Sequence, residues 1–373
     1  MIETIDDTAP PGWDERAVDA PGGHVLQGTA WAAHRAGQRW RPRFVTFEDG
    51  GVALVLLRRH WPGWATAYCP RGPGGGPGGG LGGASVAGDE AAGPAVSGTR
   101  SAARATALAA WLRDEGIVSL AVDPVLDEDP DFERRLAAFG FRVIEEIQAS
   151  RHRMILPLPP GATPDGVLAG VARSTRQRVR AAAAAGVVIE STRSLDDLER
   201  FASIVGAIAD RKHLSFGDLA ALQAWWARLL SAGQGEFLVA RRERRVVGGL
   251  ILYRQGGHLA TAYSGDDPTE REHTAGTTHL LRWSAIRLAI LEGHPLIDLG
   301  GVDVPGARRI PEPGEPTHGL YLHKRSFGAQ WVASAPAHEV VLRPWRRGVV
   351  RLAGAADRLR VARVALRPRG TGR

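Results

Sequence analysis

The sequence predicts an α/β protein of two domains, and three observations carry that expectation. Its 373 residues exceed one ordinary domain, so two units of about 150 to 200 residues are expected. Strand-like and helix-like segments alternate along the chain, the pattern of layered α/β folds. The order of elements is similar in the two halves, as a structural duplication would produce, although the halves do not visibly repeat in sequence.

Residues 24–36 (HVLQGTAWAAHRA) read as a helix, followed by extended segments at 42–48, 51–59 and 64–69. A glycine-rich loop follows, with nine glycines in the twelve residues 72–83, too little side chain to bury and no G-K-[ST] ending of a phosphate-binding loop. Helix 100–115 stops at Gly116, and strand 117–123, a short helix at 130–138 and strand 141–147 close the first half. The second half opens with strand 151–158, then a basic helix that ends at Gly186 and strand 187–191. Helices at 195–209 and 218–231 lead to strands 235–241, 245–253 and 257–264, a long helix at 273–292 and strand 296–299. The spacing of Trp345, Val349, Leu352, Ala356 and Leu359 makes one apolar helix stripe in a tail otherwise full of arginine. The expected units are therefore 1–150, 151–342 and a basic C-terminal helix at 343–373.

Composition narrows the function. The acidic start lacks the basic and apolar regions of a secretory signal, and no apolar run is long enough to span a bilayer, so a cytoplasmic protein is expected. The single cysteine, Cys69, permits neither an intrachain disulfide nor a thiolate metal cluster. No pair of histidines at helical spacing has a third ligand in view, so no metal is expected. Only Lys212 and Lys324 among the 47 basic residues are lysine, which singles out both against an arginine background. Of the net charge of +7, the segment 343–373 supplies +9 (ten arginines against Asp357), leaving the body near −2. Such a tail suits a polyanion or an anionic membrane surface, and equally a solvated helix whose arginines lie over apolar surface.

Several segments together resemble the Fem family of tRNA-dependent aminoacyltransferases, over residues 24 to 345. LQGTAWAAHR is similar to the family's opening helix, with Arg35 where the family has a phosphate-holding lysine. YCPRGP, containing Tyr68 and Arg71, resembles the tyrosine-x-proline-arginine-glycine-proline strand end. RSTRQRVRAAAAAGVVIE resembles the basic helix that opens the second domain and carries Arg173, Arg176 and Arg180. IADRKHLSF resembles the segment in which the family has a diphosphate-contacting arginine, at the position of Arg211. GHPLIDLGGV followed by GLYLHKRSFGA matches the C-terminal block in order and spacing, with Lys324, Phe327 and Gly328 in place and His323 where the family has phenylalanine. Tyr263 falls on the strand of a substrate-lining tyrosine, and Asp123 matches an acidic strand end. No sustained charged heptads suggest the coiled-coil insertion some members carry.

The resemblance implies two GNAT-like domains and transfer of an amino acid from aminoacyl-tRNA to an amine of a UDP-linked or lipid-linked muramyl-peptide. An aminoacyl ester is already activated, so this chemistry needs positioning and charge at a developing oxyanion rather than a cofactor, metal or covalent nucleophile. On this reading Lys324 and Asp123 are the catalytic candidates, and Arg35, Arg211, Tyr263, Tyr68 and Arg71 are the substrate-binding candidates. Arg173, Arg176, Arg180, Arg346 and Arg347 would contact tRNA or the membrane surface. Rival readings are an acyl-CoA-dependent GNAT enzyme, a tRNA-dependent enzyme of specialised metabolism and a non-catalytic nucleic-acid binder. Against the first, HTAGTT at 273–278 departs from the Q/R-x-x-G-x-G/A pyrophosphate loop at its first and last positions.

Overall fold

The computed structural model describes residues 1–60, 63–74, 98–147, 152–212, 218–270, 274–302, 304 and 308–348. The first half contains β1 (Ile2–Asp6), α1 (Thr29–Ala36), β2 (Trp40–Phe47), β3 (Val52–Arg59), β4 (Ala65–Cys69), α2 (Gly98–Asp114), β5 (Ser119–Val122), α3 (Pro130–Phe139) and β6 (Arg142–Val143). The second begins with β7 (Arg153–Pro157), α4 (Pro164–Gly170), α5 (Arg173–Ala184), β8 (Val188–Ser191), α6 (Leu195–Lys212) and α7 (Leu219–Ser231). It continues with β9 (Gly235–Arg242), β10 (Arg245–Gln255), β11 (His258–Asp266), α8 (Thr277–Leu291), β12 (Leu296–Gly301), α9 (His318–Arg325) and β13 (Gln330–Val332), and β14 (His338–Val341) follows.

Two seven-stranded sheets result, in the orders β1-β2-β3-β4-β5-β14-β6 and β13-β7-β12-β11-β10-β9-β8. Each is antiparallel except for one central parallel pair, β4 with β5 and β11 with β12. A shared apolar cluster joins the halves: Trp13, Phe44 and Leu54 pack with Phe201, Trp225, Trp226 and Ile251. Local signals set the element ends. Asp129 caps α3 by accepting from the Asp131 and Phe132 N–H groups, Pro130 starts it, and left-handed Gly140 stops it.

The expected limit of the second unit at 342 needs correction. Residues 338–341 cross back to form β14, which pairs with β5 and β6 of the first sheet. This strand, like β1 and β13, had no sequence signal: each is three to five residues long and is defined by its partners rather than by periodicity. The helix expected from residue 24 starts at Thr29, after a tight turn at Val25–Gln27. The helix expected from 273 starts at Thr277. Residues 344–348 are helical, while the rest of the expected basic helix, 349–373, and residues 75–83 of the glycine-rich loop lie outside the described residues.

Candidate active site

Each parallel strand pair is short, and the site lies beyond the point where the pairing stops. In the second sheet the β11–β12 register runs only through Leu259↔Ile297 and Ala260↔Asp298. β11 then stays with β10, while β12 stays with β7 through Gly301↔Arg153. The backbone groups in the resulting gap need other partners. Arg282, buried on α8, supplies one: its Nη1 donates to the Leu299 carbonyl at 3.1 Å, and also to the Thr261 side-chain Oγ1 at 3.3 Å. Lys324, on α9, is 4% exposed and its Nζ donates to the Gly301 carbonyl at 2.8 Å. Gly300 has φ +80°, and a Cβ there would stand 2.8 Å from the Thr261 carbonyl oxygen and 3.4 Å from Lys324 Nζ.

In the first sheet the β4–β5 pairing ends at Cys69↔Val122. Asp123, 1% exposed, follows immediately. One of its oxygens accepts the Arg71 N–H at 2.5 Å and the other the Tyr68 hydroxyl at 3.0 Å. The first bond holds Arg71 in a left-handed conformation, φ +53°, that residues other than glycine seldom adopt. Buried Gln27 ties this strand end to β3, bonding the Leu54 backbone and the Pro70 carbonyl.

The two strand ends face one cavity of about 300 Å³. Arg71 and Pro124 line it from the first sheet, and Tyr253, Gln255, His258, Tyr263, Asp298, Gly300 and Gly301 from the second, joined by His24 and Arg153. Tyr263 packs edge-on against Trp226, and burial pushes its phenol, and that of Tyr253, above the ordinary range, so both remain donors at neutral pH. Burial lowers His258 to about 4, against the opposing pull of Asp298, which leaves a neutral imidazole. Its Nδ1 lies 3.3 Å from the Gly256 carbonyl, the geometry of an Nδ1–H tautomer. Behind Lys324, Arg282 Nε donates to His323 Nε2 at 3.2 Å, and His323 Nδ1 lies 3.2 Å from His279 Nε2. Burial, then Arg282 and His279, hold His323 at about 2.

Of the residues singled out in the sequence, Arg71 and Tyr263 line the cavity, and Asp123, Tyr68 and Lys324 fasten its walls. Arg35 does not line it: the guanidinium lies between the Trp31 and Trp40 rings, 5.3 and 4.9 Å from their centroids, and donates to Gln38 Oε1. Arg211 is exposed near the end of α6, away from the cavity lining. Arg173 and Arg180 are exposed on α5, whereas Arg176 turns back to donate to the Ala169 and Val171 carbonyls at the end of α4. Arg347 is paired with Glu339, and Arg346 stacks over Trp64 and Trp345. Cys69 is fully buried, and burial pushes its thiol well up, so it is no nucleophile in this conformation.

The sequence reading missed His24, Arg153, Tyr253, Gln255, His258 and Asp298. Only Asp298 had a nearby signal, in LIDLGG, and the others come together through tertiary pairing alone. Among the described residues no group of three histidine, cysteine or acidic side chains could hold a metal ion, and no helix is long and apolar enough to cross a membrane.

Comparison with solved structures identifies the architecture. The crystal structure of FemX superposes with a TM-score of 0.72 at 16% sequence identity, covering 93% of this chain and 100% of that one. The chain has a FemX-like fold of two GNAT-like domains. Residues 170–309 also match the family model described as an acetyltransferase (GNAT) domain. A conserved protein of unknown function from Bacteroides thetaiotaomicron VPI-5482 aligns with a TM-score of 0.56 at 10% identity, over 91% of this chain and 99% of that one. The C-terminal domain of a putative lysylphosphatidylglycerol synthetase from Agrobacterium fabrum gives 0.51 at 14% identity, over 89% and 92%. No curated protein matches the chain by sequence. In this FemX-like frame, the cavity lies beyond the ends of the parallel pairing in both sheets and is lined by residues of each.

Proposed function

We propose that the protein is an aminoacyltransferase that moves an amino acid from aminoacyl-tRNA to an amine of a muramyl-peptide, UDP-linked or lipid-linked. The observation that carries this reading is the polar cavity beyond the parallel strand pairs of a FemX-like double GNAT fold. The amine attacks the ester carbonyl, a tetrahedral oxyanion forms, and the ribose oxygen leaves with a proton while the amine nitrogen gives one up. Lys324 sets the Gly300–Gly301 turn and brings positive charge to that wall for the oxyanion. Asp123, with both oxygens engaged, positions Tyr68 and Arg71 rather than serving as the base. Exposed Arg173 and Arg180 and the arginine-rich tail are offered for the tRNA or an anionic membrane surface. The reaction requires no cofactor, and both substrates place it in the cytoplasm.

Two features favour an aminoacyl ester over acyl-CoA in the second domain. Arg282 occupies the strand gap with its own hydrogen bonds. The start of α8 packs on α5, where the Arg178 carbonyl oxygen would stand 2.3 Å from a Cβ on Gly276. The test mixes purified protein, charged tRNA and UDP-muramyl-pentapeptide or its lipid-linked form, with and without ribonuclease, and reads the acceptor's mass. An aminoacyl gain that ribonuclease abolishes and that Lys324→Met lowers about 100-fold or more is expected. Acceptor modified with acetyl-CoA, and not with charged tRNA, would overturn the reading.

A further inference from the structure

Several arginines among the described residues are paired with acids: Arg104 binds Asp49, Arg254 binds Glu236 and Glu292, and Arg241 binds Glu190 and Asp197. Two groups on the cavity wall have no such ion pair. Asp298, 7% exposed, accepts the Gly300 N–H at 2.7 Å, and among the described residues no cation forms an ion pair with it. Arg71 likewise has no carboxylate on its guanidinium among the described residues, and its Nε is buried without a hydrogen-bond partner. Arg153, 9% exposed, gives one nitrogen to Asp127 at 2.5 Å and also leaves a buried Nε unpartnered. A buried carboxylate without a cation and guanidinium Nε atoms buried without an acceptor are costly, and a ligand of complementary charge relieves both.

We infer that the cavity takes a zwitterionic part of the acceptor, its carboxylate on Arg71 and Arg153 and its ammonium on Asp298. The inference rests on reading the cavity as the acceptor site. A volume near 300 Å³ is at the lower end for ligand pockets, so it admits an amino-acid-sized portion and leaves the rest of the precursor outside. Neutral His258 and the protonated Tyr253 and Tyr263 phenols add hydrogen-bonding groups without disturbing the two poles. An ammonium held by Asp298 also lies beside the carboxylate that takes its proton when the free amine is needed for attack, so binding and activation share one group.

The binding test uses simple probes on the full-length protein: δ-aminovalerate, valerate and pentylamine, followed by saturation-transfer NMR and calorimetry. The zwitterion is expected to bind about tenfold or more tightly than either singly charged analogue. Arg71→Gln should bring it down to pentylamine, and Asp298→Asn to valerate, with thermal midpoints confirming that each variant folds. The double variant Arg153→Gln with Asp127→Asn removes the second guanidinium without stranding its acid, and should weaken valerate as well. Equal binding of δ-aminovalerate and pentylamine by the native protein, or no signal from any probe, overturns the inference. A transfer assay separates it from the functional reading. Equal transfer to a stem peptide and to the same peptide with its carboxylates amidated removes the carboxylate subsite and leaves the activity. The expected probe binding without any aminoacyl transfer removes the activity and leaves the subsite.

Discussion

His258 should make the folded protein acid-sensitive by an amount that can be worked out. Burial lowers its pKa from 6.5 to about 4, so below neutrality the unfolded chain takes up a proton that the folded one refuses. The stabilisation is therefore complete above pH 6.5 and is lost progressively as pH falls toward 4. Each pH unit in that window is worth about 1.4 kcal/mol, so at pH 5 the side chain alone costs about 2 kcal/mol of stability. His258→Asn keeps a neutral donor near the Gly256 carbonyl but cannot titrate. Urea unfolding of both proteins at intervals from pH 7.5 to 5 measures the difference. The native protein should lose about 2 kcal/mol more than the variant over this range. Parallel pH profiles would refute a buried, neutral His258 and with it the description of the cavity's electrostatics.

Two further outcomes follow from packing. Trp226→Ala, which empties a fully buried site in the cluster joining the two halves, should cost about 3 to 5 kcal/mol in urea or thermal unfolding; a cost below about 1 kcal/mol would mean the halves are not joined through this cluster. Gly300→Ala introduces a Cβ at φ +80° within 2.8 Å of the Thr261 carbonyl and displaces the turn held by Lys324, so transfer activity should fall about tenfold or more while the protein remains folded by circular dichroism.

The long, regular elements were legible without a structure because their signals are local. The alanine-rich α2 and α5, the capped α3 and the apolar β3 and β10 declare themselves by composition, periodicity and end residues. Lys324, Arg71, Tyr68, Tyr263 and Asp123 stood out as residues in family-like motifs, and all five lie in or directly behind the cavity wall. Arg35 and Arg211 belong to equally family-like segments, but their positions in space depend on what α1 and α6 pack against, and neither reaches the cavity lining.

The sequence by itself determined the α/β class, the order of the main elements and the unusual placement of charge. Tertiary structure alone decided that residues 338–341 return to the first sheet, that Arg282 fills the gap between diverging strands, and that His24, Arg153, His258 and Asp298 share a cavity with Arg71. The physical reason is range. Helix periodicity and caps act over three or four residues, whereas the pairing of β14 with β5 and of β12 with β7 joins residues more than a hundred positions apart, and no local pattern in the chain records it.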